Sequence, residues 1–192
     1  MPAVYHIPSD RREKRSAEKL VAAAQRIILD TEPQRLTVTL LCDEAGTSRT
    51  TFYRLFDEPD DVLRLAADQT FHDSLKGYVD LIERAQQHDL SVPDPFQWYE
   101  EGVRKNADLI AGFVRIEKTE ILKNAHRKAL REFGPVLFPD LDPDSEEFLY
   151  FTEIRASVFL GGLTAWVESG QKASMDDIRR YAARQMRMFG EV

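Results

Sequence analysis

Apolar residues recur at three- and four-residue spacings along almost the whole 192-residue chain, and no segment alternates apolar and polar residues as a half-buried strand would. Residues 16–29 show the helical pattern most simply, with one apolar face formed by Leu20, Val21, Ala24, Ile27 and Ile28. Breaks at Pro33, in residues 89–95 and in residues 134–144 interrupt the helical pattern. The chain as a whole is predicted to form about nine helices. The pattern predicts an all-α fold.

The later helices have recognisable starts and ends. Pro59 suits the first turn of a long helix, because proline already has the helical φ angle. Gly170 is a suitable C-cap for a strongly apolar helix, and Ser174 with Asp177 forms a capping box for the last one. Between these points, helical patterns cover residues 96–107, 107–114, 115–133 and 145–169.

Two short helices near the N-terminus are joined by a tight turn. Thr37 is a good N-cap for the first, and Ser48 caps the second, which extends to Phe56. Gly46 supplies the backbone freedom for the turn between them. Together with the helix of residues 16–29, they form three helices in about 40 residues, which makes a helix-turn-helix candidate.

The residue types of the third helix indicate a surface that contacts a polar partner. A helix buried inside the protein would need apolar side chains here, but the segment carries Ser48, Arg49, Thr50, Thr51, Tyr53 and Arg54. Hydroxyl and guanidinium groups bind phosphates, and arginine is the commonest reader of guanine in the major groove. The composition of this helix therefore favours DNA as the partner.

The charge of the whole chain, −7, argues against a nucleic-acid binder when taken alone. Its distribution changes that argument. Residues 11–56 contain nine Lys or Arg and six Asp or Glu, so this segment carries +3 and the rest of the chain −10. The basic segment contains the candidate helix-turn-helix. For residues 11–15, which include three arginines, a DNA-contacting arm and a solvated disordered tail both remain open.

The helix-turn-helix segment carries a specific motif: Thr37, Val38, Leu41, Cys42, Ala45, Gly46, Thr47, Ser48, Thr51, Tyr53, Phe56, Pro59, Asp60 and Val62. With these residues, positions 16–63 resemble the DNA-binding domain of the TetR family of bacterial transcriptional regulators. The family pattern is T-V-x-x-I-A-x-x-A-G-V-S-x-x-T-x-Y-x-x-F-x-x-K-E-x-L. Pro59 stands where the family usually has a phosphate-contacting lysine, so DNA affinity is expected to be weaker or to depend on residues 11–15.

The resemblance implies which residues meet DNA. Thr51 and Tyr53 would contact phosphates, Arg49 and Thr50 would meet base edges, and Thr37 would cap the second helix near the DNA backbone. The full set of expected DNA-binding residues is Thr37, Thr47, Ser48, Arg49, Thr50, Thr51, Tyr53 and Arg54. The partner would be a double-stranded, palindromic operator.

The resemblance also implies two domains, a DNA-binding domain of residues 1–58 and a ligand-binding and dimerisation domain of residues 59–192. The last two helices would pair with a second copy, and the alternative is burial within one subunit. The expected interface residues are Gly161, Leu163, Trp166, Val167, Tyr181, Gln185 and Phe189. Dimerisation would place two recognition helices in successive major grooves, roughly 34–36 Å apart.

The protein is expected to be a repressor. A small, largely apolar effector is expected to bind within the helical bundle and to release the DNA. The candidate lining residues are Phe71, Tyr78, Trp98, Phe113, Phe151, Arg155 and Phe159. For each aromatic residue, plain core packing is the alternative. Arg155 is the polar candidate, although it could equally pair with Glu120 or Glu153.

Other chemistry has little support in the sequence. The single cysteine, Cys42, is expected to pack as a small apolar residue rather than to sense redox state. No metal-binding spacing, phosphate-binding glycine loop or nucleophile motif is present, so we expect a protein without metal, cofactor or enzymatic activity. Without an apolar run of membrane-spanning length or a signal peptide, the chain is expected to be cytoplasmic. The alternative function is a TetR-fold coactivator or protein-interaction regulator with weak DNA affinity.

Overall fold

A computed structural model describes residues 5–6, 10–30, 35–88, 90–92 and 94–189. For residues 95–97, 99–100 and 186–189 it describes the backbone alone. Pro33, which was predicted to end the first helix, lies outside the described residues. None of the helices in the described part of the chain is long and apolar enough to cross a membrane.

The described residues form nine α-helices and no strand, which confirms the predicted all-α fold. The helices are α1 (Arg11–Leu29), α2 (Val38–Ala45), α3 (Arg49–Leu55), α4 (Pro59–Gln87), α5 (Pro95–Lys105), α6 (Ala107–Arg115), α7 (Thr119–Leu137), α8 (Glu146–Glu168) and α9 (Met175–Phe189).

The N-terminal helices α1, α2 and α3 pack around a small apolar core. Leu20 and Ile28 of α1, Leu41 of α2, and Phe52 and Leu55 of α3 are all at most 1% exposed. The N-terminal half of α4 closes this core with fully buried side chains of its own, and α4 also packs against α1. The helix-turn-helix is therefore attached to the bundle through a shared apolar core.

The C-terminal helices form a bundle around α4 and α7. These two helices pack along one another, α8 covers α7, and α9 packs on α8. Helix α6 packs against α1 through Gly112, where an added Cβ would lie 2.9 Å from the Ile28 carbonyl oxygen. A hydrogen bond at 3.1 Å from Arg115 Nη2 to the same oxygen strengthens this junction. The bundle thus contacts the helix-turn-helix at α4 and at α6.

Helix α1 begins earlier than predicted, at Arg11 rather than at residue 16. The carboxylate of Asp10 caps it by accepting hydrogen bonds from the N–H groups of Arg12 and Glu13, at 2.8 and 3.2 Å. The spacing of apolar residues could not show this first part of α1, because helical residues that are exposed to solvent need no apolar side chains. Residues 11–15 are therefore helical, not a disordered tail.

The predicted break at residues 134–144 begins later, because α7 continues through Pro135 to Leu137. Proline normally clashes with the Cβ of the preceding residue in a helix, but that residue is Gly134, which has none. The missing N–H costs one hydrogen bond near the helix end, where the Phe138 N–H still reaches the Gly134 carbonyl at 2.8 Å. The ring of Phe148 occupies the space beside Gly134.

Candidate nucleic-acid interface

The turn between α2 and α3 has the capping geometry predicted from the sequence. Thr37 Oγ1 accepts a hydrogen bond from Leu40 N at 3.2 Å, and Ser48 Oγ accepts one from Thr51 N at 3.1 Å. Gly46 ends α2 in the left-handed conformation, with φ of 60°. These caps define the angle at which α3 leaves the turn.

Helix α3 has one buried and one exposed face. Phe52 and Leu55 are completely buried, whereas Tyr53 is 59% exposed. Arg49 and Thr50 are exposed as well. An aromatic ring held in solvent beside basic and hydroxyl side chains is the arrangement expected of a helix that contacts a phosphate backbone and base edges.

The remaining predicted DNA-binding residues lie close to this face. Thr47 is half-buried in the turn, where its N–H bonds the Cys42 carbonyl at 2.9 Å. The hydroxyl groups of Ser48 and Thr51 lie 3.0 Å apart. Thr37 and Arg54 are exposed. The structure thus brings all eight predicted residues to α3 or to the turn and helix start that precede it.

The two arginines of α3 interact with neighbouring helices. Arg49 Nη2 donates a hydrogen bond to Thr39 Oγ1 on α2 at 2.7 Å. Arg54 Nε lies 2.7 Å from Glu13 Oε1 on α1, and the Glu13 side chain is only 17% exposed. Neither Thr39 nor Glu13 was singled out from the sequence, because a contact between helices leaves no local pattern.

The Glu13–Arg54 pair places the start of α1 beside α3. Residues 11, 12, 14 and 15, all basic, occupy the first turns of α1 and are exposed. A positively charged helix start therefore adjoins the exposed face of α3. The combined surface, which we call the basic surface, comprises Arg11, Arg12, Lys14, Arg15, Arg49 and Arg54.

The start of α4 is acidic where the family pattern has a lysine. Asp61 Oδ2 accepts hydrogen bonds from the N–H groups of Asp57 and Glu58, at 3.0 and 2.9 Å. Asp60 pairs instead with Lys118 of the bundle, at 2.6 Å. The Asp61 carboxylate thus satisfies two N–H groups that a phosphate could otherwise bind.

The predicted ligand-binding residues lie at four separate places in the bundle. Phe71 and Phe159 border a cavity of about 20 Å³ between α4, α5, α6, α7 and α8, with Thr70, Ser74 and Asn106 as polar neighbours. Tyr78 lies against Trp98, with ring centroids 6.1 Å apart, and Phe113 is completely buried in the core. Phe151 and Arg155 pack on Phe138 near the end of α7.

A buried histidine lies beside the cavity residues. His126 of α7 is 1% exposed, and its ring centroid lies 4.9 Å from that of Phe71 and 4.6 Å from that of Phe159. Burial lowers the pKa of His126 from 6.5 to about 3, and the positive charge of Arg155 adds to this effect. The imidazole is therefore neutral at physiological pH. Sequence spacing did not identify it, because its surroundings come from three helices.

The predicted dimer residues divide between the interior and the surface. Leu163 and Trp166 are buried within the subunit, where Trp166 Nε1 bonds the Ala173 carbonyl at 2.9 Å. Gly161, Tyr181 and Gln185 are exposed, Val167 is half-buried, and the side chain of Phe189 lies outside the described residues. The exposed side of α8 carries an apolar stripe that shares Gly161 with the predicted set and is otherwise formed by Tyr150, Ile154 and Val158.

Cys42 lies in the core of the helix-turn-helix and is 4% exposed. Burial raises the pKa of its thiol, which disfavours the thiolate that redox chemistry needs. The position matches the small apolar role expected from the sequence. Among the described residues, no group of three or more His, Cys, Asp or Glu side chains could hold a metal ion.

The similarity of the chain to known proteins is distant. No protein-family model matches the chain, and the search of curated proteins finds no match. Among solved structures, the chain is similar to the fatty acid degradation regulator FadR from Bacillus halodurans, with a TM-score of 0.43 and 18% sequence identity. The alignment covers 88% of this chain and 93% of that chain.

Proposed function

We propose that the chain is a DNA-binding transcription regulator of the TetR type, a cytoplasmic binding protein rather than an enzyme. The observation that carries the proposal is the exposed face of α3, where Arg49, Thr50 and Tyr53 project from a helix whose opposite face is fully buried. The caps at both ends of the preceding turn support it, because they present α3 at a fixed angle.

Electrostatics supports the same assignment. The basic surface concentrates positive charge at one end of a chain whose remainder is strongly acidic. Such a distribution orients the protein on DNA, because the acidic bundle is repelled from phosphates while the helix-turn-helix is attracted. The acidic start of α4 removes one customary phosphate contact, so binding is expected to be specific but readily weakened by salt.

DNA binding is tested by selecting preferred sequences from a random duplex library and measuring affinity by fluorescence anisotropy. Arg49→Ala should relax sequence preference, whereas Tyr53→Phe should weaken binding to all sequences alike. Lys76→Ala, which removes an exposed cation on α4 away from the basic surface, is the control. Equal behaviour of all three variants would contradict the proposed interface.

We also propose that the protein acts as a homodimer paired through α8. Tyr150, Ile154 and Val158 are 59, 49 and 39% exposed and follow one another at four-residue spacing. At Gly161, an added Cβ would meet no described atom within 4 Å, so a second helix could approach closely there. A continuous apolar stripe in solvent is unfavourable, and a second copy would cover it.

The dimer is tested by sedimentation of matched valine variants. Val158→Glu should give a monomer, because the stripe would then bury an unpaired carboxylate. Val136→Glu places the same charge at a valine of similar exposure, 41%, at the end of α7, and should remain dimeric. A wild-type monomer at micromolar concentration would refute the proposal.

The proposed effector is a small, mainly apolar molecule with one polar group. The cavity beside Phe71 and Phe159 supports this, since its lining is apolar apart from Thr70, Ser74 and Asn106. At about 20 Å³ it holds little more than a water molecule, so the ligand must widen it and thereby move α4. Linear alkanols of increasing length should weaken DNA binding, and Phe71→Trp, which fills the cavity, should abolish their effect.

A protein-interaction regulator with weak DNA affinity is the second candidate, and the acidic start of α4 favours it. Asp60 and Asp61 occupy the first turn of α4, beside the N-cap residue Glu58. A salt titration separates the two candidates. The affinity of a DNA regulator for DNA falls steeply with salt, by about 0.9 in log K per phosphate contact for each tenfold increase in salt concentration. The second candidate would instead bind its protein partner in the absence of DNA.

A further inference from the structure

The two guanidinium groups of α3 differ in what surrounds them. Arg54 is paired with the carboxylate of Glu13, so its charge is neutralised locally. Arg49 donates to the hydroxyl group of Thr39 at 2.7 Å, and a neutral acceptor leaves its positive charge intact. Of the two arginines, Arg49 is the one that is held by a neutral hydrogen-bond acceptor, without a carboxylate among the described residues to offset its charge.

Thr39 is well placed to hold this arginine. It is the second residue of α2, and the N-cap hydroxyl of that helix belongs to Thr37, so the Thr39 side chain is not needed for capping. Thr39 and Arg49 are both exposed, on opposite sides of the turn that contains Gly46. Because caps define the turn at both helix ends, the separation between α2 and the start of α3 is set by the backbone.

We infer that Thr39 is a positioning residue, which orients the Arg49 guanidinium for reading a guanine in the major groove. This inference rests on the proposed DNA-binding function. The hydrogen bond to Thr39 uses one of the five guanidinium N–H groups, so two others can still donate to guanine O6 and N7. Without Thr39, the arginine side chain would have to be ordered during binding.

The expected effect follows from that ordering. Immobilising a flexible side chain at an interface costs an amount equivalent to roughly a three- to tenfold change in affinity. Because Arg49 would be ordered mainly when it meets its preferred base, the loss falls on discrimination at one base pair. A general loss of structure would instead weaken binding to all sequences.

The test compares Thr39→Val with Thr39→Ser on duplexes taken from a random-sequence selection with the wild-type protein. For each variant, anisotropy gives the ratio of affinities for the selected site and its single-base substitutions. Thr39→Val removes the hydroxyl at nearly constant shape, and Thr39→Ser keeps it. The same substitutions are repeated in an Arg49→Ala background, and thermal unfolding confirms that each variant is folded. If Thr39→Val does not fold, Thr39→Ala takes its place.

The expected result is a loss of about three- to tenfold in discrimination with Thr39→Val, at the base pair that Arg49→Ala also relaxes. Thr39→Ser should retain the wild-type ratio, and Thr39→Val should add nothing once Arg49 is removed. An unchanged ratio with Thr39→Val, or a loss that persists without Arg49, would overturn the inference. If wild-type protein shows no sequence preference, the proposed function fails, and that outcome is separate from the preceding two.

Discussion

The Glu13–Arg54 pair makes a quantitative prediction about DNA affinity. Glu13 is an acidic side chain within the basic surface, and its carboxylate lies 2.7 Å from the Arg54 guanidinium. Glu13→Gln would leave Arg54 in place with its charge uncompensated. We therefore expect this variant to bind DNA more tightly than the wild-type protein.

The size of the effect follows from counterion release. Each phosphate neutralised changes the slope of log K against log salt by about −0.9, so one added contact per protomer strengthens binding by about eightfold more when salt is lowered from about 1 M to about 0.1 M. The cost in stability is small, because Arg54 is 53% exposed and pairs of this kind contribute about 0–1 kcal/mol. The hydrogen bonds that the Asp10 carboxylate accepts from the backbone N–H groups of Arg12 and Glu13 are unaffected by the substitution.

The assay is an anisotropy titration of one duplex across a series of salt concentrations. Glu44→Gln is the matched control, because it also removes one carboxylate that pairs with an arginine at 2.7 Å. Its partner, Arg26, lies at the far end of α1, roughly 22 Å from Arg11 at the helical rise of 1.5 Å per residue. A salt slope that changes equally in the two variants, or only in Glu44→Gln, would refute the reasoning.

Three further predictions concern stability. Gly46→Ala should cost about 1 kcal/mol in chemical denaturation, because φ is 60° there; an unchanged midpoint would show that the turn is not strained. Gly134→Ala should cost about 1–3 kcal/mol, since the new Cβ would overlap the Phe148 ring, and a gain in stability would contradict this. The native state keeps His126 neutral down to about pH 3, whereas the unfolded state binds a proton below pH 6.5. Stability should therefore fall as pH drops below 6.5, by up to about 1.4 kcal/mol per unit, and urea unfolding of His126→Leu should lack this component.

The exposed face of α3 could be predicted in large part from the sequence. Helix caps and turns are local features, so Thr37, Gly46 and Ser48 could be assigned roles from their neighbours alone, and the structure confirms those caps. The polar face of α3 followed from residue types at helical spacing. The predicted break at residues 134–144 starts too early, because the effect of Pro135 on α7 depends on Gly134 before it and on an aromatic ring from α8.

The contacts that connect helices could not be predicted in the same way. The pairs Glu13–Arg54 and Thr39–Arg49 join residues that are 41 and 10 positions apart, and each residue taken alone has the composition of an ordinary solvated surface. Apolar periodicity indicates which face of a helix is buried, but not which helix buries it. For α8, it could not separate the side that packs inside the subunit from the stripe that remains exposed.

By itself, the sequence determined the all-α class, the helix-turn-helix and the chemical character of α3, because these depend on spacing, caps and residue types within a few turns of chain. Tertiary structure alone decided which arginine of α3 pairs with a carboxylate and which donates a hydrogen bond to a neutral hydroxyl group. It also decided how small the cavity beside Phe71 is and which side of α8 faces solvent. These properties depend on distances of a few ångströms between helices, and such distances are set by the packing of the whole core.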